Sequence, residues 1–279
     1  MRFVTFRTPE GTRAGRVEAD EVVRLDWPDV GALIASGPGW QRLGQADGPR
    51  YARAGLDLAP PVVSPPAIVC VGRNYAAHAA EVRAELGGHP TLFAKFTSSL
   101  LGPFDSLVLP RLASDVDWEV ELAFVVGGRG RNLDEVHAGD VIGAFTVAND
   151  ISMRDWQHRT SQFLQGKTFE ASTPVGPELV TPDELPRPVE EGLTLTCTVD
   201  GVLRQHGTTA DMVFAPAAIA SYLSRIFTLV PGMLVLSGTP EGVGAARTPP
   251  VFLHPGQQIR SEIEGIGTMV NDCVEEEDE

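Results

Sequence analysis

Along most of the chain, apolar residues come in short runs or alternate with polar ones, and each run stops at Gly, Pro, Asn or Asp. That two-residue period with turn-forming stops predicts β-strands. "RFVTF" and "AGRVEADEVVRL" open the series, and "AIVCVG", "SLVLP", "DWEVELAFVVGGRG", "DVIGAFTVAND", "LTLTCTVDGVLRQ", "MLVLSGTPEGVG" and "QQIRSEIEGIGTMVN" continue it. Helical spacing is confined to two segments. "NYAAHAAEVRAEL" is alanine-rich with Asn74 placed to cap it, and "APAAIASYLSRIF" carries apolar residues at helical intervals. Because strands do not alternate regularly with helices, a doubly wound sheet or a βα barrel is excluded, and an α+β, β-dominated fold is expected. No internal repeat is visible. The stretch "APPVVSPP", 59–66, stiffens the chain like a linker, which predicts a small β-rich N-terminal domain over 1–65 and a larger one over 66–279.

Composition narrows the function classes. With 279 residues and 43% hydrophobic content the chain can bury a substantial core. A formal charge of −15 repels a phosphate backbone, so nucleic acid is not an expected partner. No apolar run approaches the roughly 18 residues of a membrane span. The start, "MRFVTFRTPEGTR", meets a charge and a proline before a signal-peptide core forms, so a cytoplasmic protein is expected. Cys70, Cys197 and Cys273 lack CxxC spacing and read as small buried hydrophobes. The acidic end "EEEDE" reads as a solvated terminus.

"DWEVELAFVV" raises a chemical question, because it sets Glu119 and Glu121 in an otherwise apolar run. On a strand the two carboxylates share a face, whereas on a helix they would point about 200° apart. Trp118, Val120, Leu122 and Phe124 then form the opposite, core-facing side. Two ionised carboxylates side by side in a partly desolvated place require a proton or a cation between them. Asp150, where "VIGAFTVAND" ends, offers a third oxygen donor, and such a set suits Mg²⁺ or Mn²⁺. The spacing alone also fits two glutamates facing water from a half-exposed strand.

Several separated segments resemble one family, the fumarylacetoacetate hydrolase superfamily of divalent-metal enzymes. They are "CVGRNYAAHAAE", "PTLFAKFTSSLLGP", "DWEVELAFVVGGRGR", "NDISMRD", "QGKTFEASTPVGP" and "LSGTPEGVG", in order across 66–279. The resemblance implies a rolled mixed β-sheet, a small N-terminal domain and a homodimer. It implies that Glu119, Glu121 and Asp150 are the metal ligands, that His78 and Glu81 are an acid/base dyad on a short helix covering the site, and that Lys167 stabilises an enolate oxygen. Three-residue spacing does put His78 and Glu81 on one helical face. Arg154, Gln157 and Thr239 correspond to substrate-contacting positions, and Arg73 is in position to reach an anionic substrate. "GKT" ends like a phosphate loop, but Ser161 stands where that motif needs glycine. His89, His137, His158, His206 and His254 read as surface residues.

The chemistry implied is hydrolysis of a C–C bond in an acylpyruvate or related 1,3-diketo acid through a metal-bound enolate, with His78 activating water. The same parts serve an isomerase of 2-hydroxyhepta-2,4-diene-1,7-dioate type or an oxaloacetate decarboxylase. Two departures from the family pattern stand out: "IVCVGRNY" offers no carboxylate where animal-type fumarylacetoacetases carry an extra ligand, and Glu170 replaces a common Asp. From a different class, a catalytically idle protein binding a metal or small acid is the competing reading.

Overall fold

A computed structural model describes residues 1–83 and 87–277. The fold is β-dominated. One large mixed sheet runs in the order Arg50–Ala52, Glu21–Arg24, Gly11–Glu18, Arg2–Thr8, Thr173–Val180, Ile142–Asn149, Val120–Val126, Leu234–Leu236, Ile68–Gly72, Thr91–Lys95. A second sheet, Val202–Thr208, Thr194–Val199, Gln258–Ile263, Gly267–Glu275 and Leu107–Leu109, packs against it. The N-terminal strands join the large sheet through Arg2↔Val180 and Phe3↔Leu179.

Most alternating runs become strands where the pattern puts them. "CTVDGVL" folds into a hairpin because Asp200 and Gly201 both take positive φ, 53° and 73°, as a two-residue primed turn requires. Thr173–Val180 is an unexpected strand near the centre of the sheet: Pro174, Gly176 and Pro177 read locally as turn residues, yet pairing with Arg2–Thr8 and Ile142–Asn149 holds them extended. The long helix is Pro216–Ile226, as its spacing predicts. The alanine-rich segment is helical only over Ala76–Glu81, and the expected continuation through 84–86 lies outside the described residues. Asn74 does not cap this helix: its side-chain amide is bound to the backbone of Phe214 and Ser237 instead. Glu275, Glu276 and Glu277 are exposed, as a solvated terminus would be, although Glu275 completes a strand opposite Leu109 and Glu276 accepts from the Arg111 amide.

The strand Val120–Val126 is buried at every position and Glu119, just before it, is buried too, so the half-exposed alternative for the two glutamates is overturned. Trp118, Val120, Leu122 and Phe124 face a core shared with Leu195, Ile259 and Met269 of the second sheet. Ala123 and Val125 face a smaller core with Phe3, Leu33 and Leu234. Glu121 continues this second face toward a cavity. Buried polar bonds tie the sheets beneath it: the Val120 amide donates to Gln205 Oε1 at 2.9 Å, and Asn149 Nδ2 donates to Ser261 Oγ at 2.9 Å. All three cysteines are buried and free.

Leu122 is fully buried between the two sheets. Leu122→Ala should therefore cost about 2–5 kcal/mol in urea unfolding. A loss below about 1 kcal/mol would show that the sheets close over the gap instead.

Candidate active site

Strand pairing assembles the acidic cluster. Val120 pairs with Asn149, so residues 119 and 150, just outside that pair, stand next to each other, and the Asp150 amide donates to the Glu119 carbonyl at 2.9 Å. Ligand oxygens of Glu119, Glu121 and Asp150 all lie within 4.8 Å of one another, and the three residues are buried. Two lysines and an arginine hold two of them. Lys167 Nζ donates to Glu119 Oε2 at 2.5 Å and Asp150 Oδ2 at 2.7 Å, while Lys95 Nζ donates to Asp150 Oδ1 at 2.5 Å. Arg154 Nη2 lies 2.6 Å from Glu119 Oε1, a close charge contact, and Arg154 Nε donates to Asp117 at 2.9 Å.

Glu121 is treated differently. Among the described residues it has no ion-pair partner, and it accepts a hydrogen bond from the Gly238 amide at 2.7 Å. Burial, then repulsion from Asp150 and Glu119, pushes its carboxyl well above the usual range. Burial also pushes Glu119 up, but the charges of Lys167, Arg154 and His78 outweigh it and hold that carboxyl well below the usual range. Lys167 loses charge stability to burial yet is raised overall by Asp150 and Glu119. The residues present fit a hard divalent cation: the donors are all carboxylate oxygens, they converge, and one buried carboxylate lacks a counter-charge.

The acid/base candidates sit at the same cavity, of about 510 Å³, which His78, Glu81, Glu119, Glu121 and Lys167 all line. His78 Nδ1 is 3.3 Å from Glu81 Oε2, and the Glu81 carboxylate in turn accepts from the Gly242 amide at 2.9 and 3.1 Å. Gly242 has φ +102°, and a Cβ there would lie 2.1 Å from the Arg204 carbonyl oxygen, so only glycine brings this amide to Glu81. A second close approach places Lys167. Gly166 packs so tightly on the Arg154–Gln157 turn that its Cβ would stand 2.5 Å from the Gln157 nitrogen.

Residues 67–274 match the model of the fumarylacetoacetate (FAA) hydrolase C-terminal family. The chain belongs to this family. The oxaloacetate tautomerase FAHD2A, mitochondrial, of Homo sapiens is 42% identical over 228 residues, 81% of this chain and 72% of that protein. Two solved structures superpose over nearly the whole chain. The 2-hydroxyhepta-2,4-diene-1,7-dioate isomerase from Mycobacterium marinum has a TM-score of 0.79 at 29% identity, covering 100% of both chains. The maleylpyruvate hydrolase from Sphingobium sp. SYK-6 has a TM-score of 0.80 at 30% identity, covering 99% of this chain and 100% of its own. The family's enzymes thus include an isomerase and a hydrolase, and an enzymatic role follows for this member. Among the described residues no helix is long and apolar enough to cross a membrane.

Within this family member, nine of the ten candidate residues line the cavity and the tenth, Asp150, is buried beside Glu119 and Glu121, but not all are free. Arg154 is buried and engaged with Asp117, Glu119 and Gln157, so it braces the acids. Thr239 lines the cavity, yet its hydroxyl donates to the Val120 carbonyl and accepts from Gln205. Arg73 stands exposed at the rim. His158 is exposed as expected but also borders the cavity. Sequence reasoning missed Lys95 and Asp117, both fully or nearly fully buried. Lys95 had a signal, since it stands two residues from Phe93 on one strand face within a family-like segment.

If Glu121 is the carboxylate awaiting a counter-charge, Mn²⁺ at a hundredfold excess over its dissociation constant should stabilise the protein by about 2.7 kcal/mol. Glu121→Gln keeps an acceptor for Gly238, so it should raise the melting temperature of the chelator-treated protein and abolish the gain from Mn²⁺. Equal gains in both proteins would contradict this reading.

Proposed function

We propose that the protein moves a proton within an enolisable 2-oxo dicarboxylic acid, interconverting keto and enol forms in the manner of an oxaloacetate tautomerase. The observation that carries the reading is a single cavity holding both an imidazole–carboxylate pair and a metal-competent acidic cluster with a buried ammonium. His78 Nδ1 faces Glu81, which leaves Nε2 to take a proton from the carbon beside the 2-oxo group. The electron pair moves to the carbonyl oxygen, and the proton returns there to give the enol, so nothing is consumed. Glu81 stabilises the imidazolium and fixes its ring, and the Gly242 amide fixes Glu81. An ammonium has three donors, and Lys167 uses two on Glu119 and Asp150, which leaves one for the developing oxyanion. Mg²⁺ or Mn²⁺ held by Glu119, Glu121 and Asp150 would supply Lewis-acid polarisation of the 2-oxo group. Support for proton transfer over bond cleavage comes from the tautomerase name of a 42%-identical relative.

C–C hydrolysis of an acylpyruvate is the second reading, favoured by the likeness to a maleylpyruvate hydrolase. It needs the same dyad to activate water. Decarboxylation of oxaloacetate is a further variant of the same enolate chemistry. A homodimer belongs to this proposal on the family resemblance. The cytoplasmic expectation does too, on sequence grounds, and differs from the mitochondrial address in the human relative's name.

Conversion of enol-oxaloacetate, followed by ultraviolet absorbance with product analysis by NMR, separates these outcomes. The keto form alone should accumulate, and His78→Ala should slow conversion about 10²–10⁴-fold while keeping the Mn²⁺-dependent rise in melting temperature. Pyruvate appearing as fast as the enol disappears would point to cleavage, and an unimpaired His78→Ala would remove the dyad from the mechanism.

A further inference from the structure

The acidic cluster is gripped from two sides. Lys167 and Arg154 line the cavity together with Glu119 and Glu121, whereas Lys95 does not, and its side chain is fully enclosed. Phe93, two residues earlier on the strand Thr91–Lys95 and on the same face, reaches the cavity. Lys95 therefore approaches Asp150 from within the fold, where no substrate touches it. Its Nζ donates to Asp150 Oδ1 at 2.5 Å, and Lys167 donates to the other oxygen, Oδ2, at 2.7 Å.

Charge alone does not account for Lys95. A divalent cation together with Lys167 would balance the three carboxylates of the cluster, and Arg154 already has Asp117 beside it. One more enclosed ammonium repels any cation arriving at the acids and carries a desolvation cost of its own. What Lys95 adds is a fixed direction. Lys167 bridges Asp150 Oδ2 to Glu119 Oε2, so Oδ2 is the oxygen turned toward the cluster, while the ammonium of Lys95 ties Oδ1 at the rear.

We propose that Lys95 selects the bound cation by size, because it restricts Asp150 to one forward oxygen. Ca²⁺ gathers about six to eight oxygens and readily takes both from one carboxylate, whereas Mg²⁺ and Mn²⁺ favour a tighter octahedron that takes single oxygens. A carboxylate that cannot turn edge-on suits the smaller ions. This role rests on the reading of Glu119, Glu121 and Asp150 as cation ligands, and it makes Lys95 a positioning residue.

Calorimetric titration of the chelator-treated protein with MnCl₂ and with CaCl₂ reads the preference without turnover. The wild type should bind Mn²⁺ about tenfold or more tightly than Ca²⁺. In Lys95→Met both affinities should rise, since the two ions carry equal charge and escape the same repulsion, but Ca²⁺ should gain about tenfold more than Mn²⁺ as Oδ1 is released. Lys95→Arg keeps a charged donor for Oδ1 and should keep most of the wild-type preference. An unchanged ratio of the two dissociation constants in Lys95→Met overturns the role of Lys95 while leaving the acids standing as a cation site. So does a wild type without preference, an outcome that needs no variant to fold. Failure of both ions to bind the wild type overturns this role together with the reading beneath it.

Discussion

Like charges buried side by side are the constraint around which this molecule is arranged. Glu119, Glu121 and Asp150 approach within 4.8 Å in a place from which water is largely excluded, and such a cluster is tolerable only with compensating charge. Lys95, Lys167 and Arg154 provide it for two of the three acids, and each of these cations is itself almost inaccessible. The uneven outcome is chemically useful. Two carboxylates have cationic partners within the protein, while Glu121 rests on one amide, which leaves it the member of the cluster that a cation from solution would compensate.

Much of the framework was legible because burial and period coincide. The alternation in "DWEVELAFVV" places the glutamates on one face and Trp118, Val120, Leu122 and Phe124 on the other, and both cores confirm that division. What the period could not tell was that the second face is also covered, since its cover comes from residues as distant as Phe3 and Leu33. Thr173–Val180 was invisible for the opposite reason. Its prolines and glycine carry a turn signal that long-range pairing overrides.

The site divides the same way. The candidate metal-ligand and dyad positions were legible because they lie in segments with family-like spacing, and the structure brings them together at or beside one cavity. Their supports could not be listed. Lys95, Asp117 and the amides of Gly238 and Gly242 act through tertiary contacts, and a backbone N–H has no letter in a sequence. Arg154 and Thr239 show the converse case, residues that line the cavity while polar atoms of theirs are engaged by the protein.

The segment after Leu234–Leu236 is fastened by its main chain. Amides of Gly238, Gly242, Gly244 and Ala245 bind Glu121, Glu81 and Asp117, and none of these bonds uses a side chain of the loop. Ala246 and Thr248, farther along the same segment, nevertheless face the cavity. Anchorage and selectivity are therefore encoded by different atoms, so substitutions at these two wall positions could redraw the shape of the accepted molecule without disturbing the acids below. A lineage could drift between substrates by that route while inheriting its reactive centre intact.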